Sequence, residues 1–196
     1  MLPIDFTCGK IRYRQEHLHG RNELIAKAIG WKKNLSLRVF DTTAGLGREA
    51  FLLAALGCEV VLFERHAVVA KALRNGLAHA KNEPALTPII NRMTLLETCA
   101  IAYLKNASFQ APDIIYCDPM FPPRSKSAAV KKEMQLLQSL VSPDVDTTEL
   151  VTAARAVAQK RVVVKRAARC APLVANPDLT YRGRSHCFDV YCRVIS

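Results

Sequence analysis

The chain has 196 residues, 50% of them hydrophobic, so it can bury the core of one domain and is not a disordered tail. Its apolar runs are too short to span a bilayer, and the opening MLPIDFTCGKIRYRQ lacks the apolar segment typical of a signal peptide. The net charge of +11 favours a polyanionic partner, most often nucleic acid, although a soluble protein can be basic without one.

Strand-like and helix-like segments alternate along the chain. β-branched residues fill the strand-like segments, whereas glycine or Asn-Glu-Pro ends the helix-like ones. This order predicts a doubly wound α/β fold, with a mainly parallel sheet and helices on both faces. We predict strands over residues 37–43, 59–65, 93–98, 113–118, 160–166 and 186–194, and helices over 47–56, 67–81, 101–106, 130–141 and 147–159.

We expect one domain over residues 1–196, in which 1–33 is a basic N-terminal helical segment. Basic residues also concentrate in 124–132 and in 155–196, where Asp178 and Asp189 are the only acids, and we expect these stretches to contact the polyanion. The seven cysteines are odd in number and form no C-x-x-C pair. That pattern is typical of reduced thiols in the cytoplasm, and it predicts neither a disulfide framework nor a metal site.

The first predicted strand ends in DTTAGLGREA, where Gly45, Gly47 and Ala50 fit the pattern G-x-G-x-x-A. Glycines there let the backbone approach a nucleotide, although many strand-to-helix turns need glycine anyway. Asp41 precedes the loop and could accept hydrogen bonds from a cationic amine. Glu64 ends the next strand, where it could accept from ribose hydroxyls or remain an ordinary solvated carboxylate.

Two cofactors are compatible with this loop. A nicotinamide dinucleotide carries a pyrophosphate, which the carboxylate of Asp41 would repel. S-adenosylmethionine (SAM) has no phosphate and carries an amino-acid head, so the sequence favours SAM.

The fourth predicted strand ends in DPMFPP, which begins at Asp118. The exocyclic amine of a base is a poor nucleophile because its lone pair is delocalised into the ring. The Asp118 carboxylate and the Pro119 carbonyl could accept its two hydrogens, and Phe121 could stack on the base. The alternative is a proline-rich surface turn with Asp118 as its cap.

Three segments resemble the ribosomal RNA small subunit methyltransferase J family: VFDTTAGLGREAFLLAALGCEVVLFER, IIYCDPMFPPRSKSAAVKKEMQLLQSLV and KRVVVKR…FDVY. The similarity runs from Ile4 to about Tyr191. The family contains guanine-N2 methyltransferases that act on small-subunit ribosomal RNA with SAM. The resemblance therefore implies a Rossmann-like class I methyltransferase with ribosomal RNA or the small ribosomal subunit as its partner, in the cytoplasm, with no membrane and no metal.

The resemblance also implies cofactor contacts at Arg48, Glu49, Glu64, Arg65 and Asp118. After the third strand the family pattern has two small hydroxyl residues, whereas this chain has Cys99 and Ala100, which retain only backbone contacts to the adenine edge. The predicted catalytic residues are Asp118, Pro119 and Phe121, and the predicted cofactor-binding residues are Asp41, Gly45, Gly47, Arg48, Glu49, Glu64, Arg65, Cys99, Ala100 and Asp118.

Two groups of basic residues could contribute to RNA or cofactor binding. Those in 124–132 are either phosphate contacts or solvated helix charges: Arg124, Lys126, Lys131 and Lys132. Those in the N-terminal segment could close over the cofactor: His17, His19 and Arg21.

Three alternative functions stay open. They are a methyltransferase acting on DNA adenine or protein glutamine, a nicotinamide-dependent oxidoreductase, and a non-catalytic RNA-binding module.

Overall fold

A computed structural model of the protein describes residues 4–8, 23–105, 108–120 and 146–193. The strands are β1 (Arg38–Asp41), β2 (Glu59–Phe63), β3 (Met93–Leu96), β4 (Ile114–Cys117), β5 (Arg161–Ala167), β6 (Leu179–Arg182) and β7 (His186–Cys192). The helices are α1 (Leu24–Ile29), α2 (Arg48–Ala55), α3 (Ala67–Lys81), α4 (Thr87–Ile90), α5 (Ala100–Leu104) and α6 (Thr147–Val157).

The seven strands form one sheet in the order β3-β2-β1-β4-β5-β7-β6. The pairs among β3, β2, β1, β4 and β5 are parallel, whereas β7 is antiparallel to both β5 and β6. The chain builds outward from β1 to β3 and then returns to place β4 on the other side of β1. Such a reversal opens a crevice at the carboxyl ends of the two central strands, where ligands bind in this class of fold.

Side chains alternate between two apolar layers, one on each face of the sheet. Val39 points into a layer formed with α1, α2 and α3, whereas the adjacent Phe40 points into a layer formed with α5 and α6. The same alternation separates Tyr116 from its neighbours Ile115 and Cys117. Because both faces are covered, the predicted doubly wound fold is confirmed.

Two elements were not predicted. β6 is the edge strand with the sequence Leu-Thr-Tyr-Arg, half of it exposed, so it lacks the apolar run of the central strands. α4 is a single turn between α3 and β3. The helix predicted over 130–141 lies outside the described residues, as does much of the predicted N-terminal segment, of which α1 is described.

A buried ion pair holds the outer strands together. The Arg166 guanidinium donates to both carboxylate oxygens of Asp189, at 2.5 Å from Nε and 3.1 Å from Nη2, and the two side chains are 3% and 0% exposed. Thr180 on β6 donates to the same carboxylate at 2.8 Å. β5, β7 and β6 are therefore joined by side chains as well as by backbone pairing. Among the described helices, none is long and apolar enough to cross a membrane.

Candidate active site

An open pocket lies at the carboxyl ends of β1, β2, β3 and β4, with an empty volume of about 640 Å³, part of it continuous with solvent. Its walls combine apolar side chains with carboxylates, hydroxyls and one guanidinium, a composition that suits a ligand with a flat apolar part and polar edges. The lining residues are Thr42, Thr43, Gly45, Phe63, Glu64, Arg65, Thr98, Cys99, Ala100, Ile101, Asp118, Met120, Asp146 and Leu150.

The loop after β1 is bonded to the ends of both neighbouring strands. On one side the Ala44 N–H donates to the Phe63 carbonyl at 3.0 Å. On the other side the Asp118 N–H donates to the Thr43 hydroxyl at 2.6 Å, and the Thr42 hydroxyl donates to the Tyr116 carbonyl at 2.9 Å. The two threonines thus fix the loop against the Asp-Pro turn, a role that sequence reasoning missed.

The two glycines of this loop serve different purposes. Gly45 has φ +51° and donates its N–H to Glu64 Oε2 at 3.0 Å, at the pocket wall. Gly47 has φ +69°, and a Cβ there would lie 2.8 Å from Leu73 Cδ1 on α3. The left-handed φ and the nearby Leu73 side chain both favour glycine at the start of α2, and Gly47 lies outside the lining of the pocket.

Glu64 combines burial with backbone hydrogen bonds. It is 9% exposed, and its second oxygen, Oε1, accepts from the His66 N–H at 2.8 Å. Burial raises the pKa of Glu64 above its ordinary value, although the hydrogen bonds from His66 and Gly45 oppose that rise. A carboxylate offers about four lone-pair directions, so one bond to each oxygen leaves acceptor capacity facing the pocket.

Asp118 belongs to a cluster of charges beside the pocket. The Lys165 ammonium lies 2.6 Å from Asp118 Oδ2 and 2.7 Å from Glu49 Oε1. β4 and β5 pair with Cys117 opposite Val164, so the residues that follow them, Asp118 and Lys165, become neighbours. Sequence reasoning missed Lys165, although its position near the end of the predicted strand KRVVVKR indicated a positive charge at the pocket edge of the sheet.

Asp41 lies behind the pocket wall and not in it. It is 1% exposed, and its Oδ1 accepts from the Thr43 N–H at 3.2 Å. Burial raises the pKa of Asp41 to about 8; nearby Glu49 and Asp118 raise it further, while the Thr43 hydrogen bond and Lys165 oppose the rise. Near neutral pH this carboxyl is largely protonated, so it supports the loop as a neutral group.

The other predicted residues divide into three groups. Arg65, Cys99 and Ala100 line the pocket, and Arg65 forms an ion pair with Asp146 at 2.5 Å across its mouth. Arg48 and Glu49, in the first turn of α2, lie outside the lining, and Pro119 is buried beside it. Phe121 lies outside the described residues, as do the other basic candidates: His17, His19, Arg21, Arg124, Lys126, Lys131 and Lys132.

Cysteines and acids form no metal centre in the part of the chain that the structure describes, since no three His, Cys, Asp or Glu side chains there come close enough to hold an ion. All seven cysteines lie within the described ranges and are free thiols in the structure.

Comparison with known proteins identifies the family. A family model described as a SAM-dependent methyltransferase matches residues 1–193. The ribosomal RNA small subunit methyltransferase J of Marinobacter nauticus is 45% identical over 190 residues, which cover 95% of this chain and 68% of that protein. The protein of the same name from Aeromonas hydrophila is 47% identical over 190 residues, which cover 96% of this chain and 76% of that protein.

The chain belongs to the ribosomal RNA small subunit methyltransferase J family. A crystal structure of a SAM-dependent methyltransferase from Neisseria gonorrhoeae is also similar to this methyltransferase. Its sequence identity is 36% and its TM-score 0.78, over 99% of this chain and 75% of that chain. The family resemblance and the Rossmann-like class I fold are thereby confirmed.

Membership in the family also decides between the cofactors that the sequence left open, and SAM is the cofactor. The topology agrees, because dinucleotide-binding sheets commonly have the order 3-2-1-4-5-6, whereas this methyltransferase places an antiparallel β7 between β5 and β6. The nicotinamide-dependent oxidoreductase and the non-catalytic RNA-binding module are excluded.

The raised pKa of Asp41 predicts how stability changes with pH. The folded state keeps the Asp41 proton up to about pH 8, whereas the unfolded chain releases it near pH 4. Folding therefore binds a proton in this range. The free energy of unfolding of the wild type should fall relative to Asp41→Asn as pH rises from about 5 to about 8, by up to about 1.4 kcal/mol per pH unit.

Urea unfolding of both proteins at intervals of about one pH unit measures this difference. Asp113→Asn is the control. Burial would raise the pKa of Asp113, but hydrogen bonds from Lys160 and the Arg38 N–H outweigh it and the pKa is lowered. The difference in free energy of unfolding between Asp113→Asn and the wild type should therefore stay constant from about pH 5 to about pH 8. A constant difference for Asp41→Asn as well would contradict the prediction.

Proposed function

We propose that this methyltransferase transfers a methyl group from SAM to the exocyclic N2 amine of a guanosine in small-subunit ribosomal RNA, in the cytoplasm. The names of its relatives support the class of substrate. The observation that carries the chemistry is the position of Asp118 and Pro119 at the end of β4, at a pocket whose other wall holds Glu64. The substrate is ribosomal RNA, free or in the small subunit.

The pocket has the acceptors and the apolar walls that SAM requires. Glu64 would accept hydrogen bonds from the ribose hydroxyls, and the backbone at Gly45 lies within the same wall. Phe63, Ile101 and Leu150 offer apolar surface for the adenine ring. Cys99 and Ala100 would contact the adenine edge through their backbone, because neither side chain carries the hydroxyl of the family pattern.

The remaining predicted cofactor residues would act from behind the wall. Asp41 and Gly47 fix the loop and the start of α2, as their contacts with Thr43 and Leu73 indicate. Glu49 is tied to the wall through Lys165. Arg48 follows Gly47 at the start of α2, and Arg65 would border the cofactor from the mouth of the pocket.

The Asp-Pro turn would orient the guanine amine. SAM supplies the methyl group already activated as a sulfonium. The Asp118 carboxylate and the Pro119 carbonyl would accept the two amine hydrogens, which turns the nitrogen lone pair toward the methyl carbon. The nitrogen would bond to the methyl carbon as the carbon–sulfur bond breaks and S-adenosylhomocysteine leaves. One proton of the methylated nitrogen would then pass to solvent, so no strong base is needed. Phe121 would stack on the extruded base.

Three exposed arginines beside the site favour an RNA partner. Arg182 ends β6, Arg184 lies in the turn between β6 and β7, and Arg169 follows β5. The Ala168 N–H donates to the Ser185 carbonyl at 3.1 Å, which brings the two loops together. We call Arg169, Arg182 and Arg184 the arginine surface.

The arginine surface lies at the same edge of the sheet as the pocket, because β5 and β6 are both antiparallel to β7 and so run in one direction. Three strand spacings separate β6 from β4, or roughly 14 Å, which is within reach of the phosphates flanking a nucleotide at Asp118. Among the described acids of 161–193, Asp189 pairs with Arg166 and Asp178 binds the Cys192 N–H, so neither neutralises this surface.

Methyl transfer in vitro tests the proposed function. Purified protein, isotopically labelled SAM and unmethylated small-subunit ribosomal RNA should yield labelled N2-methylguanosine after digestion and mass spectrometry. Asp118→Ala should slow the transfer about 100-fold or more, because the amine loses an acceptor. Asp113→Ala, which removes a carboxylate at the other end of β4, is the control. Label on DNA adenine, on protein glutamine or on no nucleoside would contradict the proposal.

A second prediction concerns the cofactor. Glu64→Ala should weaken SAM binding by about 1–3 kcal/mol, because a buried carboxylate that accepts from ribose and from the Gly45 N–H is lost. Glu97→Ala is the control, since Glu97 follows β3 but pairs with exposed Arg74 at 2.7 Å. Titration calorimetry measures both. Equal affinity in wild type and Glu64→Ala would remove Glu64 from the cofactor site.

A third prediction concerns the RNA. The double change Arg182→Ala and Arg184→Ala should lower RNA affinity. It should also reduce the slope of log K against log[salt] by about 1–2, because RNA binding releases fewer counterions when phosphate contacts are lost. SAM affinity should not change. The control is Lys32→Ala with Lys33→Ala, two exposed charges at the opposite edge of the sheet. If both pairs change the salt slope equally, binding does not use this surface.

A further inference from the structure

Lys165 joins two carboxylates that belong to different elements. Asp118 follows β4 and Glu49 lies in the first turn of α2, and the ammonium is within 2.7 Å of an oxygen of each. The Lys165 side chain is 20% exposed, so these contacts are partly shielded from solvent. In the proposed function Asp118 faces the guanine amine, and Glu49 supports the cofactor side of the site.

We propose that Lys165 is the positioning residue of the methyl transfer: it fixes the Asp118 carboxylate as an acceptor for the amine and links it rigidly to α2 on the cofactor side. The inference rests on the proposed function and names a residue that neither the glycine loop nor the Asp-Pro turn contains. Lys165 acts through Asp118, because its ammonium is engaged by the two carboxylates.

The charges around Lys165 explain why a cation is needed there. Glu49 and Asp118 both lie against the Lys165 ammonium, and their like charges would repel each other without it. Burial would lower the pKa of Lys165, but Asp118 and Glu49 outweigh burial and the pKa is raised well above its ordinary value. Lys165 therefore stays protonated at every pH at which the protein works, and it serves as neither base nor nucleophile.

Among the described residues near Asp118, two are held neutral by burial. On β4 the Tyr116 hydroxyl and the Cys117 thiol have pKa values raised by burial, the thiol to about 12. Asp41 on β1 is the other group that titrates near neutral pH. With Lys165 removed, Asp118 loses a positive charge that favours its ionised form, so protonation would abolish its acceptor role at higher pH than in the wild type.

The same pair of strands provides a matched control at its other end. Lys160 precedes β5 and lies 2.8 Å from Asp113, which precedes β4. That lysine is 51% exposed and lies at the edge of the sheet away from the pocket. Lys160→Met and Lys165→Met each remove one lysine from a lysine–aspartate pair between β4 and β5, and they differ in their distance from the site.

The test is single-turnover methyl transfer to small-subunit ribosomal RNA at saturating SAM, from about pH 4 to about pH 8, a range that includes the ordinary pKa of an aspartate, with folding checked by thermal unfolding. Lys165→Met should slow transfer about 100-fold, as expected for a misplaced amine acceptor. The acid limb of its pH profile should move up by about one pH unit. Lys165→Arg should transfer the methyl group more slowly than the wild type, with an unshifted acid limb. Lys160→Met should match the wild type in both rate and pH profile.

A rate for Lys165→Met within about threefold of wild type would overturn the inference, and so would a uniform slowing with an unshifted acid limb. If Lys165→Met does not fold, Lys165→Arg decides: a wild-type rate overturns the inference, because a guanidinium cannot reproduce the geometry of the ammonium. These outcomes leave the proposed function intact. The proposed function fails only if the wild type itself transfers no methyl group to the RNA.

Discussion

The parallel register of β2, β1, β4 and β5 is the constraint on which the site depends. Because these strands end at one edge of the sheet, residues far apart in the chain are brought together there. The Thr43 hydroxyl meets the Asp118 N–H, the Gly45 N–H meets Glu64, and Lys165 meets Asp118. Each bond joins the end of one strand to the next, so a shift of one residue in any pairing would separate the polar groups of the pocket.

Charge balance is the second feature that shapes the site. Three carboxylates lie near one ammonium, and burial leaves one of them, Asp41, largely protonated near neutral pH. The ion pairs of Lys165 with Glu49 and Asp118 set two carboxylates against one ammonium, so this cluster keeps one negative charge beside the pocket. That charge suits a cofactor that carries a sulfonium and an ammonium, and it would oppose a pyrophosphate. The arginine surface adds positive charge at the same edge, where the RNA backbone would pass.

Sequence reasoning recovered the features that are local in the chain. The glycine loop, Glu64 and the Asp-Pro turn follow individual strands, so their spacing alone placed them at the edge of the sheet. Lys165 and Thr43 were missed because their bonds to Asp118 span 47 and 75 residues and depend on which strands pair. Asp41 and Gly47 were placed in the right loop, but burial and the contact with Leu73 put them behind the pocket wall. β6 escaped prediction because an edge strand needs only one partner and no apolar run.

The most direct test of the central claim is the nucleoside content of small-subunit ribosomal RNA in cells that lack this protein. Mass spectrometry of digested RNA should show less N2-methylguanosine than in cells that contain it. Expression of the wild-type chain should restore the lost nucleoside, whereas expression of Asp118→Ala at the same level should not. An unchanged content of N2-methylguanosine, or equal restoration by Asp118→Ala, would contradict the account.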